Sequence, residues 1–338
     1  MLIVDPCLAV TSSTLVPRIF LVQRNYTDGS LHAAYETAFP DSEAQMRIAV
    51  ACASGSAKGV FVHGVLSAFQ ERGVPVDAYA ASSSSTIPAA FGAAGTLADL
   101  EGAAHWQRGL EKLRELKDVA EMVRGGIAEV LPALQGSLFL PTAKRFILAA
   151  SHVATPEAAE ATQGSRAKRL GLDQLRAMKT RDTSWADANL ACHLFDTVAG
   201  DTTKALREEN LADARYATTR MLHAWKAPGW IDGEPYVDAS YTCMCPAVEM
   251  AELGCDCVVG ISPETGPFYR DLYQARAIPS EWKGARLLFI QPDFDLKEIG
   301  VDYLSVQAEG LKKAFDLGRT AGLRFVDGDA LTAFRLRS

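Results

Sequence analysis

Apolar residues along this chain fall in short unbroken runs set between stretches of helical period. Ile48-Ala49-Val50-Ala51-Cys52-Ala53 is an apolar run of the length expected of a buried parallel strand. Gly55 follows in a turn, residues 60–72 carry apolar positions at helical spacing, and Gly73 is a natural helix stop. Residues 77–81 form a second strand-like run, and residues 86–95, small and apolar, suit a helix buried against a sheet. This β-α-β-α order predicts a parallel sheet covered on both faces. Strand patterns return at 189–195, 257–261 and 286–290, and residues 303–317 have the period of a closing helix.

The intervening block, 97–185, is more charged and reads as mostly helical, an insertion able to cover a site. Residues 110–124 and 138–150 show apolar faces at helical spacing, and residues 154–169, rich in Ala, Glu and polar side chains, read as a mobile loop or a surface helix. Residues 1–45 have little periodicity and a turn signal at Thr27-Asp28-Gly29-Ser30. They are expected to be an N-terminal extension, packed on the surface or partly disordered, ahead of one large α/β domain over 46–330. No internal repeat or low-complexity linker divides that domain.

Composition narrows the function classes. With 338 residues, 48% apolar and 22% charged, the chain has the material for a large core. A net charge of -7 argues against non-specific nucleic-acid binding, which needs clustered positive charge. No apolar run reaches the about 18 residues of a membrane span. The first residues lack a basic region and are interrupted by Asp5 and Pro6, so neither a signal peptide nor an anchor is expected. Seven cysteines, an odd number, fit a reducing cytoplasm. Cys243/Cys245 and Cys255/Cys257 are spaced more tightly than zinc sites favour, and Cys255-Asp256-Cys257-Val258-Val259 reads as a strand in which cysteine is a small hydrophobe. No metal or other cofactor is expected.

Three segments carry candidate chemistry. Ser54-Gly55-Ser56-Ala57-Lys58-Gly59 lies between a strand and a helix, so its amides are either an anion cradle at the helix start or part of an ordinary connection. It matches neither the P-loop, because Gly59 follows Lys58, nor the dinucleotide fingerprint, because the G-x-G-x-x-G spacing is absent. Ala81-Ser82-Ser83-Ser84-Ser85-Thr86 lies where a strand gives way to a helix. It reads as a serine-rich helix cap or as a nucleophile elbow, with small Ala81 and Ser85 flanking Ser83. Asp232-Gly233 reads as a hairpin turn, after which Asp238 ends a short strand, either as a loop cap or as a base able to reach another strand's end.

Together these pieces resemble the patatin-like phospholipase family. The carriers are Gly55-Ser56-Ala57-Lys58-Gly59 followed by Gly64-Val65-Leu66, Asp77 ahead of the Ser83 elbow, and Asp238-Ala239 followed by Pro246 and Ala251. Phe195 to Asp201 is similar to a family strand end. The resemblance spans about residues 46–320 and implies a three-layer α/β sandwich with a mostly parallel central sheet. It further implies a Ser83–Asp238 dyad, an oxyanion hole of Gly55, Ser56 and Ala57 amides, and a motif or substrate-binding role for Lys58 and Gly59, where Lys58 orients the turn or meets an anionic head group. His63 falls at a variable position and is taken as structural.

The chain departs from the family pattern at Ser54 and Ser56, at both elbow glycines, and at Ala239. The implied activity is hydrolysis of a lipid or other acyl ester without a cofactor, with transient membrane-surface contact following from that substrate class. The departures leave two alternatives: an acyltransferase or cyclising esterase using the same dyad, and a non-catalytic pseudoenzyme on the same fold.

Overall fold

The computed structural model describes residues 47–303 and 305–328. The extension expected over 1–45, and Cys7 within it, lie outside the described residues. Strand β1 (Ile48–Cys52) is fully buried, as its unbroken apolar run requires. It is followed by helix α1 (Gly59–Glu71), strand β2 (Ala78–Ser82) and helix α2 (Thr86–Ala94), which Gly95 ends at φ 76. The carboxylate of Asp77 accepts the Ile48 amide at 2.8 Å and so ties the starts of the first two strands.

The remaining strands are β3 (Arg145–Val153), β4 (Leu190–Asp196), β5 (Lys204–Ala205), β6 (Trp230–Ile231), β7 (Glu234–Val237), β8 (Cys257–Ile261), β9 (Glu281–Trp282) and β10 (Ala285–Ile290). They complete a ten-stranded sheet of order β5-β4-β3-β2-β1-β8-β10-β9, with β7 paired to β3 and β6 to β7. From β3 through β2, β1 and β8 to β10 every neighbour is parallel. Helices flank the sheet, giving a mixed α/β fold in three layers. One face, with Val50, Cys52, Phe146, Leu148, Val259 and Ile261, packs into the main core with α1, α2 and the last helix, α10 (Ala308–Asp327).

Several expectations change here. Residues 138–150 are not helical: helix α4 (Val119–Leu138) ends and β3 begins at Arg145. Phe146 through Ala150 are buried on both faces of the sheet. A strand so enclosed loses its polar alternation, and an unbroken apolar run satisfies a helical period equally well. The stretch 110–124 is broken in two, with α3 (Ala103–Leu116) ending at Lys117, φ 53, and Asp118 accepting the Ala120 and Glu121 amides to start α4. Of the two readings of 154–169 the helical one holds: α5 (Pro156–Gln163), capped by Thr155, leads into α6 (Ala167–Thr180). The closing helix starts later than expected and runs longer. The hairpin at Asp232-Gly233 has both residues at positive φ, 50 and 81, as a tight two-residue turn demands.

Helices α1 and α10 touch through glycine. A Cβ on Gly64 would sit 2.1 Å from the Phe315 carbonyl oxygen, and one on Gly318 the same 2.1 Å from that of Phe61. Both neighbours are backbone and cannot swing aside. Gly318→Ala is expected to lower the unfolding free energy by about 2–3 kcal/mol, read from the denaturant midpoint. Gly125→Ala in α4, where a Cβ meets nothing within 4 Å, is the control, and it gains about 0.5–1 kcal/mol of helix propensity instead.

Candidate active site

The sheet register brings the two candidate side chains together. Strand β2 runs parallel to β3 and stops at Ser82, opposite Ala149. Strand β7 comes antiparallel along the same edge of β3 and stops at Val237, opposite Ser151. The chains leave these two strands facing each other across Ala150, so Ser83 and Asp238 are the next residue of each. Ser83 Oγ donates to Asp238 Oδ2 at 2.9 Å.

Ser83 has φ 55, a left-handed conformation that costs an L residue about 1–2 kcal/mol. The turn is held by bonds that leave its hydroxyl outward. The Ser83 amide donates to Thr218 Oγ1 (2.9 Å), whose hydroxyl donates to the Ala149 carbonyl (2.6 Å). Ser82 Oγ donates to the Cys243 carbonyl, Ser85 Oγ to the Ala53 carbonyl, and Thr86 Oγ1 to the Ser83 carbonyl. None of these serines caps α2 through its side chain, so the helix-cap reading of the segment fails.

Asp238 is both cap and partner. Its Oδ1 accepts the Ser240 amide (2.8 Å) and the Ser240 hydroxyl (2.5 Å), while Oδ2 takes Ser83. Ser54 Oγ lies 2.8 Å from Ser240 Oγ, linking the aspartate to the early turn. The carboxylate is 1% exposed, and burial raises its pKa to about 6 against the pull of the Ser240 and Ser83 donors. It is therefore ionised at neutral pH yet close to the point of taking a proton, the condition for a general base.

The early turn offers donors. Among the described residues the amides of Gly55, Ser56 and Ala57 have no hydrogen-bond partner, whereas that of Ser54 is taken by the Met244 carbonyl (2.9 Å). Ser56 holds φ 50 and its hydroxyl donates to the Tyr303 carbonyl (2.7 Å), which pins the strained residue. Gly55 has φ -174, outside the left-handed region, and its glycine answers to space: a Cβ there would lie 2.4 Å from Pro263 Cγ. At Gly59 a Cβ would meet Trp106 at 2.8 Å and Ser84 Oγ at 2.9 Å.

Lys58 is 2% exposed and its Nζ donates to Glu264 and Asp295, each at 3.0 Å. Burial pulls its pKa down, but the two carboxylates outweigh that and raise it. The ammonium expected to orient the turn or meet a head group is thus held by two carboxylates. His63 accepts from Trp106 Nε1 (3.2 Å), and burial lowers its pKa to about 3, leaving it neutral. Cys243, Cys245, Cys255 and Cys257 are buried; burial pushes the last three thiols up, Cys257 to about 11, and the Cys192 thiol together with burial raises that of Cys243. Asp196, in the strand end that follows Phe195, pairs with Arg145 (2.5 Å) and accepts the Val198 amide.

A cavity of about 510 Å³ opens onto Ser83, Asp238 and the 54–57 turn. Trp106, Leu110 and Leu113 of α3 and Met122, Val123 and Ile127 of α4 form much of its apolar wall. Helix α3 is amphipathic with no fully buried residue: Trp106 and Leu110 of its apolar stripe pack against the main core and, with Leu113, also line the cavity. Ser240 and Thr218 contact the candidate pair and were missed by sequence reasoning, whereas Ser54 already stood in the candidate turn. The Asp-x-Ser spacing at 238–240 was the one available signal for Ser240, since an Asp side chain commonly accepts the backbone amide two residues on.

Comparison with known proteins adds little. No family model matches the chain, and neither does any curated protein. Among solved structures, the crystal structure of VipD from Legionella pneumophila aligns at TM-score 0.41 with 10% identity, over 83% of this chain and 67% of that one. A likeness at that level carries no argument about activity. Among the described residues, no helix is long and apolar enough to cross a membrane.

Proposed function

We propose that the protein is a serine acyl hydrolase that cleaves a lipid or other acyl ester through Ser83 and Asp238. The observation that carries this reading is the 2.9 Å contact from a strained, cavity-facing serine hydroxyl to a buried carboxylate. Ser83 Oγ attacks the ester carbonyl as its proton passes to Asp238 Oδ2. The oxyanion that forms is met by the amides of Gly55, Ser56 and Ala57, which have no partner among the described residues. Collapse expels the alcohol, which takes the proton from Asp238 and leaves an acyl-Ser83 ester. Water then attacks that ester with Asp238 as base, the acid departs, and Ser83 recovers its proton.

An apolar wall of helices α3 and α4 suits an alkyl chain, because it removes the chain from water at about 25 cal/mol per Å². Ser240 and Ser54 act as positioning residues, fixing the carboxylate so that Oδ2 points at Ser83. Lys58 ties the donor turn to Glu264 and Asp295. The test is labelling by a fluorophosphonate. The reagent is expected to add to Ser83, located by peptide mass, and to leave Ser83→Ala unlabelled. Labelling elsewhere, or none, would count against an activated serine here.

A further inference from the structure

The cavity above Ser83 carries more charge than ester cleavage uses. Besides Asp238, most of its charged side chains are paired: Arg108 with Glu101 (2.6 Å), Lys112 with Glu129, and Glu264 with Lys58 (3.0 Å). Arg215 is different. It lines the cavity and is 1% exposed, yet among the described residues neither Nε nor either Nη has a hydrogen-bond partner. Burial lowers its pKa, to about 10, so the guanidinium still carries its charge at neutral pH.

A buried cation without a partner is costly, and a planar fork of donors matches a carboxylate or phosphate. Two more side chains lining the same cavity have a polar nitrogen without a partner among the described residues, Trp225 at Nε1 and His223 at Nδ1. Burial lowers the pKa of His223 and, with the charge of Arg215 beside it, that of His105 to about 4, so neither ring competes as a cation at neutral pH. Arg215 stands on helix α8 (Glu208–Thr218), three residues before Thr218. It shares a helix face, at about one turn's distance, with the hydroxyl that accepts the Ser83 amide.

We propose that Arg215 seats an anionic group, a carboxylate or a phosphate, of the compound held in this cavity, with Trp225 Nε1 and His223 Nδ1 completing the seat. For its substrate this rests on the acyl-hydrolase reading: the ester carries an anion on the portion inside the cavity, beside an apolar chain against Trp106, Leu110 and Met122. The seat itself does not depend on turnover.

The test is calorimetric titration of the Ser83→Ala protein with decanoate, decyl phosphate and decanol. At least one anion is expected to bind about tenfold or more tighter than the alcohol. Arg215→Met in the same background is expected to erase that preference and leave the alcohol's affinity unchanged, while Arg215→Lys restores part of it. A preference for decyl phosphate points to a lipid-type head group and one for decanoate to an acid terminus; either carries the proposal. Ligand-free Arg215→Met is expected to melt at or above its parent, because an unpaired buried charge is gone. Equal affinity for the alcohol and both anions overturns the proposal, as does a preference that survives Arg215→Met. So does a lowered melting point together with lost alcohol binding, which would mark Arg215 as a part of the fold. Failure of Ser83 to take the fluorophosphonate would remove the hydrolase and leave these titrations standing, so the two failures are distinguishable.

Discussion

Replacing Ser83 by Ala, or Asp238 by Asn, is expected to lower kcat on a short p-nitrophenyl ester by about 10³-fold or more, with KM little changed. Without the Ser83 hydroxyl no acyl-enzyme forms. With Asn at 238 the contact to Ser83 persists in shape, since an amide can still accept from Ser240 and donate to Ser83 Oγ, but nothing there takes the proton. The two variants separate nucleophile from base while sparing the packing around them. The wild-type profile of kcat/KM should fall below about pH 6, where the buried Asp238 carboxylate becomes protonated. Ser240→Ala removes the hydroxyl that stabilises the ionised form, so it should move that limb to higher pH. Undiminished turnover in either variant removes the pair from the mechanism.

The same Asp238→Asn substitution is expected to stabilise the protein at pH 8 by about 3 kcal/mol. An ordinary aspartate titrates near 3.8, and Asp238 in the fold near 6. Each tenfold change in proton affinity is worth about 1.4 kcal/mol, so the native state pays about 3 kcal/mol to hold this carboxylate ionised. Below about pH 4 the group is protonated whether the chain is folded or not, and the cost vanishes. Between about 4 and 6 the folded chain keeps a proton that the unfolded chain loses, so wild-type stability declines as pH rises through this window. Above about 6 the cost is constant. The neutral Asn escapes it at every pH, so its advantage should be largest at pH 8 and fade on acidification toward pH 4. Urea unfolding of both proteins at pH 4.5 and pH 8 checks this. An advantage independent of pH, or a loss of stability at pH 8, would show that the carboxylate is not held at a cost. A group retained against its own stability cost fits a base better than a structural cap.

Legibility of the sequence followed the locality of the interactions. Strand β8 coincides with the run read at 257–261, and α2 stops at Gly95, where a left-handed residue was needed. Strand β3 was misread because its signal is its burial on both faces, which no window of sequence contains. At Gly64 and Gly318 the absent side chain answers to the backbone of a helix roughly 250 residues away along the chain. Local reasoning also left Asp238 undecided between cap and partner, and in the fold its two oxygens do both.

By itself, the sequence determined the β-α-β-α opening, the covered parallel sheet, and a serine set at a strand-to-helix turn, because strand runs, helical period and turn residues act between near neighbours. The tertiary structure alone decided that β2 and β7 end facing each other across Ala150, closing 155 residues of chain onto one hydrogen bond. It alone set the apolar stripe of α3 along a cavity beside the core and left Arg215 buried there, without a partner among the described residues. Those outcomes depend on which strand lies beside which and on what water is excluded from, and both are properties of the packed chain as a whole.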